Sequence, residues 1–149
     1  MAILQPVGTD KLNSPSHSLS HRVFANDSSA PDKSVVVDSA GKVGFGTDTP
    51  TSTMHNAGSF TAAYRAITSL RTLDNTDYII DCTANSFTVT LPTASAIAGR
   101  MYVIKNSGTG SIAIACNGAE TIDGNLIMTL SITNVSISVV STGTNWIII

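Results

Sequence analysis

The sequence predicts a mainly β protein in three parts: an N-terminal arm with one short helix, a β-hairpin connector, and a C-terminal small antiparallel β-sandwich or barrel. Three observations carry this. Ser and Thr supply 19 residues each of the 149, and Ile and Val together another 26, whereas the helix formers Glu, Lys, Gln and Leu are scarce. Apolar and polar residues alternate in Phe87-Thr88-Val89-Thr90-Leu91, Ile112-Ala113-Ile114 and Val135-Ser136-Ile137-Ser138-Val139, the period of a half-buried strand. Turn clusters punctuate these runs at short intervals, as in small all-β domains.

Residues 1–33 form the arm. Pro15 follows Asn13-Ser14, a favourable first helical residue, and Leu19, Val23 and Phe24 fall on one side of a helix predicted over 15–25. That helix has too few apolar residues to make a core, so the arm is expected to dock on something else.

Residues 34–58 read as strand, tight turn, strand and loop: Ser34-Val35-Val36-Val37-Asp38, then Ser39-Ala40-Gly41, then Lys42-Val43-Gly44-Phe45-Gly46-Thr47-Asp48-Thr49-Pro50. A lone hairpin is marginal in water. The simplest neighbours are copies of itself, with Val35, Val37, Val43 and Phe45 as the residues facing the symmetry axis.

Residues 59–149 hold eight predicted strands, at 60–67, 77–82, 86–91, 101–106, 111–116, 126–132, 135–141 and 145–149. The turns between them include Asp74-Asn75, Ala84-Asn85, Ser107-Gly108-Thr109-Gly110, Asp123-Gly124-Asn125 and Thr142-Gly143-Thr144-Asn145. Ala94 to Gly99 could supply one helical turn. Trp146, the single Trp, stands in the last apolar run as a core or interface anchor.

Charge argues against several functions. Only 12% of residues are charged, about half the usual share, and eight Lys and Arg face ten acids. No basic field exists to attract nucleic acid. No stretch approaches the ~20 apolar residues of a membrane helix, and the start of the chain lacks the pattern of a secretory signal. Cys82 and Cys116 sit in apolar runs and read as buried thiols.

The motifs that could carry chemistry fail on inspection. His17 and His21 share the i, i+4 spacing of zinc ligands, but no Glu lies between them and no third ligand is evident. Gly44-Phe45-Gly46 lacks the third glycine and the helix of a nucleotide loop. Ser107 to Ser111 joins two strands and reads as a hairpin loop. There is no Gly-x-Ser-x-Gly elbow, and His55 stands alone. Glu120 and Asp123 are a carboxylate pair, but in a turn without an aromatic sugar platform. No enzyme, cofactor or metal is expected.

Lys42-Val43-Gly44-Phe45-Gly46-Thr47-Asp48-Thr49-Pro50 with Met54-His55 resembles the Val-Gly-Ile-Gly-Thr-x-x-Pro…Leu-His element of bacteriophage tail fibres and trimeric adhesin-like stalks. Thr88-Val89-Thr90-Leu91-Pro92, Gly99 to Lys105, Glu120-Thr121-Ile122-Asp123-Gly124 and Gly143-Thr144-Asn145-Trp146 are similar to a small β module near the ends of many phage fibres. The resemblance implies a virion protein, a homotrimer assembled in the bacterial cytoplasm. Its arm would bind a baseplate, tail or major capsid protein, with Leu12, His17, Leu19, His21, Arg22, Val23 and Phe24 as anchor residues. Its module would meet a host-surface glycan or protein. Trp146 joins the hairpin residues as a trimer-interface candidate. The alternative reading is a capsid decoration, a head fibre or cement protein that stabilises the shell or adheres weakly to surfaces.

Overall fold

A computed structural model describes residues 35–149 and the strand His21–Val23. It divides into two compact units, one ending at Phe60 and the other running from Thr61 to Ile149. The described residues are mainly β, with no helix among them.

The first unit holds one four-stranded sheet in the order β1 (His21–Val23), β2 (Val35–Val37), β3 (Val43–Phe45) and β4 (Met54–Asn56). Most of the helix expected over 15–25 lies outside the described residues; the part described is strand β1, antiparallel to β2. The expected hairpin is β2–β3, and its turn has a clear chemical cause. Asp38 accepts hydrogen bonds from the backbone N–H groups of Ala40 (2.9 Å) and Lys42 (2.8 Å), and Gly41 takes the left-handed φ of +78° that closes the turn.

Strand β4 then pairs parallel to β3, with Val43 opposite Met54 and Phe45 opposite Asn56. Only residues 46–53 connect them, fewer than parallel pairs usually need. The connection succeeds because it lies flat on the sheet: a Cβ at Gly44 would run into the carbonyl oxygen of Thr47, and Pro50 is buried. That explains the Val-Gly-Phe-Gly-Thr-x-x-Pro pattern physically. Glycine at 44 gives the loop its seat, and proline packs it down.

The second unit has two sheets around one core. The chain crosses from sheet to sheet: β5 (Tyr64–Ile67), β7 (Ile79–Cys82) and β9 (Met101–Asn106) stack in parallel in one, while β6 (Arg71–Thr72), β8 (Phe87–Thr90) and β10 (Ile112–Ala115) stack in parallel in the other. These are three successive coils. Strands β11 (Ile127–Leu130) and β12 (Ser136–Ser141) then reverse direction, and β13 (Trp146–Ile148) turns back to run as β9 does. β11 pairs antiparallel with β10, β12 with β9, and β13 with β12. The final orders are β13-β12-β9-β7-β5 and β11-β10-β8-β6.

The expected purely antiparallel module is therefore replaced by two mixed sheets, neither closed into a barrel. The cause lies in the turns. Ser107 to Gly110, expected as a hairpin loop, arches from one sheet to the other and stacks on the arch of the preceding coil. Asn85 Oδ1 accepts from the N–H groups of Thr109 (2.6 Å) and Gly110 (3.0 Å), and a Cβ at Gly108 would strike the carbonyl of Ala84. The strands themselves fall close to their expected positions, with β4 and β6 as short additions. Residues 94–99 form turns rather than a helical one.

Alternation fills the core from both sheets. Ile80 and Ile104 stand in register on one, Val89 and Ile114 on the other, and Tyr102, Ile122, Val139 and Trp146 complete the cluster.

Candidate interaction surfaces

The polar side chains that could have carried chemistry hold the fold together. Asp77 has its side chain wholly enclosed; Arg65 Nε donates to its Oδ1 at 2.7 Å, and Arg71 donates to its Oδ2. The backbone N–H of Asp74 adds a further bond to Oδ2 at 3.0 Å. Asn106, also buried, donates from Nδ2 to the carbonyls of Gly110 and Leu130 and accepts from the N–H of Gly108. Neither role was anticipated. In the sequence Asp77 and Asn106 stand only as the first and last residues of the strands expected over 77–82 and 101–106.

Glu120 and Asp123 are similarly committed. Both oxygens of Glu120 accept from the N–H of Ala94 at 2.9 Å, and Thr93 Oγ1 donates to one of them. Asp123 Oδ2 accepts from the N–H of Ile148. They are braces for loops and not a facing acid–base pair. His55 Nδ1 accepts from the N–H of Thr51 at 3.3 Å within the β3–β4 connection. Among the described residues no group of three or more His, Cys, Asp or Glu side chains converges as metal ligands would.

Both cysteines are free thiols. Cys82 is fully buried, and burial first, then the charge of Asp81, pushes its pKa up to about 11. Burial also raises that of Cys116, with a smaller push from Glu120. Neither is disposed to act as a nucleophile.

What the molecule does present is surface. In the first unit, Val35 stands opposite Phe45 and Val37 opposite Val43, so all four hairpin candidates share one face of the sheet. Met54 extends that face from β4. Phe45, Met54 and Phe60 are exposed there and, with Asn56, line a cleft of about 220 Å³. Val36, on the opposite face, is fully buried. Among the anchor candidates, His21, Arg22 and Val23 occupy β1, opposite Val37, Val36 and Val35 in register. Leu12, His17, Leu19 and Phe24 lie outside the described residues.

Trp146 is placed elsewhere. It is fully enclosed in the second unit, its ring 5.7 Å from that of Tyr102 and tilted by 41°. It is a core residue, so it cannot be part of an outward contact.

The second unit carries a shallow groove of about 620 Å³ along β8, lined by Thr68, Ser69, Asn85, Ser86, Thr88 and Thr90 with Leu70 and Phe87. It has many hydroxyl groups and no charge. No described helix is long and apolar enough to cross a membrane. Compared with family models, with curated proteins and with solved structures, the chain finds no match.

Proposed function

We propose that the protein is a structural component of a bacteriophage virion, a short homotrimeric tail fibre. The N-terminal arm anchors it and the 61–149 unit projects outward for host-surface attachment. The observation that carries this reading is the apolar face of the first unit. Val35, Val37, Val43, Phe45 and Met54 gather on one side of a sheet whose strands have only three residues each. Among the described residues of this unit no second layer covers that side, and copies arranged around an axis would cover it for one another. The motif resemblance of residues 42–55 points to the same symmetry.

Attachment is supported by the uncharged, hydroxyl-rich groove along β8, whose donors and acceptors suit a neutral partner such as a surface polysaccharide. The deciding experiment is imaging of particles labelled at this chain. Signal at the tail supports the fibre, signal over the shell supports capsid decoration instead, and absence from purified particles overturns both.

A further inference from the structure

We propose that Asn117 is a site of spontaneous modification. Its side-chain amide is converted, through a cyclic imide formed with Gly118, to aspartate and isoaspartate.

Asn117-Gly118 is the one Asn-Gly pair in the chain. The reaction requires the backbone nitrogen of the following residue to reach the asparagine Cγ, and a Cβ on that residue obstructs the approach. Glycine removes the obstruction and frees the backbone to rotate. The local structure keeps this route open. Asn117, Gly118 and Ala119 are exposed in a turn after β10, closed by the Glu120 N–H donating to the Asn117 carbonyl at 3.1 Å. Gly118 takes a left-handed φ of +57°, and no atom lies within 4 Å of where its Cβ would stand. The turn thus calls for the very residue that makes the asparagine labile.

Hydrogen bonding separates Asn117 from its rivals. Neither its side chain nor the Gly118 N–H has a hydrogen-bond partner among the described residues. The side chains of Asn56, Asn85, Asn106, Asn125 and Asn145 are all held in hydrogen bonds. Those of Asn75 and Asn134 are not, but Thr76 and Val135 follow them, and a branched Cβ crowds the attacking nitrogen. Asp123-Gly124 has the same glycine, yet Asp123 Oδ2 is engaged by the Ile148 N–H at 3.2 Å.

The chemistry needs only water. The Gly118 nitrogen attacks Asn117 Cγ and forms an N–Cγ bond. The Cγ–Nδ2 bond breaks, and Nδ2 leaves as ammonia with the proton that Gly118 gives up. Water then opens the ring, and nothing is oxidised or reduced. Opening at Cγ yields aspartate. Opening at the main-chain carbonyl yields isoaspartate, with the chain routed through the former side chain and lengthened by a methylene. Either product adds one negative charge to a chain whose formal net charge is −2. The change falls just before a brace, because Glu120 ends this turn and both its oxygens accept from the Ala94 N–H at 2.9 Å. Isoaspartate alters the path of the backbone leading to Glu120 and loosens its hold on Ala94.

The test incubates the full folded chain at neutral and at mildly alkaline pH, with peptide mass spectrometry to locate each new carboxyl group. Methylation by an isoaspartate-specific carboxyl methyltransferase separates the two products. Asn117 is expected to convert about tenfold faster than any other described asparagine, because its successor alone lacks a Cβ. The rate should rise with pH, since the attacking nitrogen must shed its proton. A more acidic form should separate on anion exchange, and Asn117→Gln, whose ring would be larger, should not produce it. Hydrogen exchange of the converted protein is expected to show the Ala94 amide less protected. If Asn117 remains an amide under conditions that convert a synthetic peptide of residues 113–121, the folded turn shields it and the proposal is overturned. Equal conversion at Asn85 would overturn the argument that hydrogen bonds select the site. Conversion with Ala94 fully protected would overturn the loosening of the brace.

Discussion

Arg71 grips a single oxygen of Asp77 with two guanidinium nitrogens, Nη2 at 2.8 Å and Nε at 3.1 Å. Arg65 takes the other oxygen. Both arginines belong to the strands of the first coil, β5 and β6, which are the edges of their sheets among the described residues. Charged side chains turned inward from an edge strand are a known protection against unwanted strand pairing. Here they also close the end of the core. Asp77→Ala is expected to cost about 3–5 kcal/mol by chemical denaturation, because it strands two guanidinium groups. Arg65→Ala should cost about 1 kcal/mol or less, since nearly half of that side chain is in water. Equal costs for the two would mean that Asp77 is not the centre of the cluster.

Trp146 offers a second test. Its ring is wholly buried against Tyr102, but its indole Nε1 has no hydrogen-bond partner among the described residues. Trp146→Ala is therefore expected to cost about 3–5 kcal/mol. Trp146→Phe should cost less than half as much, because it gives up packing area without breaking a hydrogen bond. Similar losses in urea titrations of the two variants would show that the indole N–H matters after all.

Strand positions were legible because the two-residue period survives in Phe87–Leu91, Ile112–Ile114 and Val135–Val139 whichever sheet each strand joins. Sheet membership was not. A cluster such as Ser107-Gly108-Thr109-Gly110 reports a change of direction, and the same residues serve a hairpin within one sheet or an arch between two. What decides is the neighbouring coil, here Asn85 and Ala84, more than twenty residues away. The Asp77 cluster was hidden although its members are closer in sequence, Arg65 at 12 and Arg71 at 6 residues from Asp77, because they meet only once the chain has begun to coil. The hairpin face was legible because a short turn after Val37 leaves one register in which Val35, Val37, Val43 and Phe45 agree. Trp146 was legible as an anchor but not as a purely internal one, since burial depends on which face of β13 meets the core.

Cys82 predicts a pH dependence. Its folded pKa of about 11 lies above the ordinary thiol value of 9.0. A thiol raised on folding favours the native state while it stays protonated, and that advantage is lost as pH climbs from the unfolded value through the folded one. Stability is expected to fall between about pH 9 and pH 11, and Cys82→Ala should reduce this fall. Alkylation at pH 8.5 should label Cys116, which is half-buried, well before Cys82. Rapid labelling of Cys82 in the native protein would contradict its burial.

The last prediction returns to Gly44, whose neighbours leave no room for a side chain. A Cβ there meets the Thr47 carbonyl, a backbone atom that cannot rotate away. Gly44→Ala must therefore lift the 46–53 connection off the sheet. Strand β4 is held to β3 through that connection, by Val43 N–H to the Thr53 carbonyl (2.8 Å) and Ala57 N–H to the Phe45 carbonyl (2.9 Å). Moving the loop separates Met54 from Phe45 and breaks up the apolar face. Gly41→Ala is the proper comparison. It meets nothing within 4 Å and suffers only its φ of +78°, a cost of about 1–2 kcal/mol in the turn. Gly44→Ala should lose amide protection across 43–57 in hydrogen exchange and weaken assembly, while the amides of 61–149 stay protected. Gly41→Ala should keep the face and the oligomer. If Gly44→Ala retains both its protection and its oligomeric mass, the loop is not what fixes β4, and the face of the first unit is built in some other way.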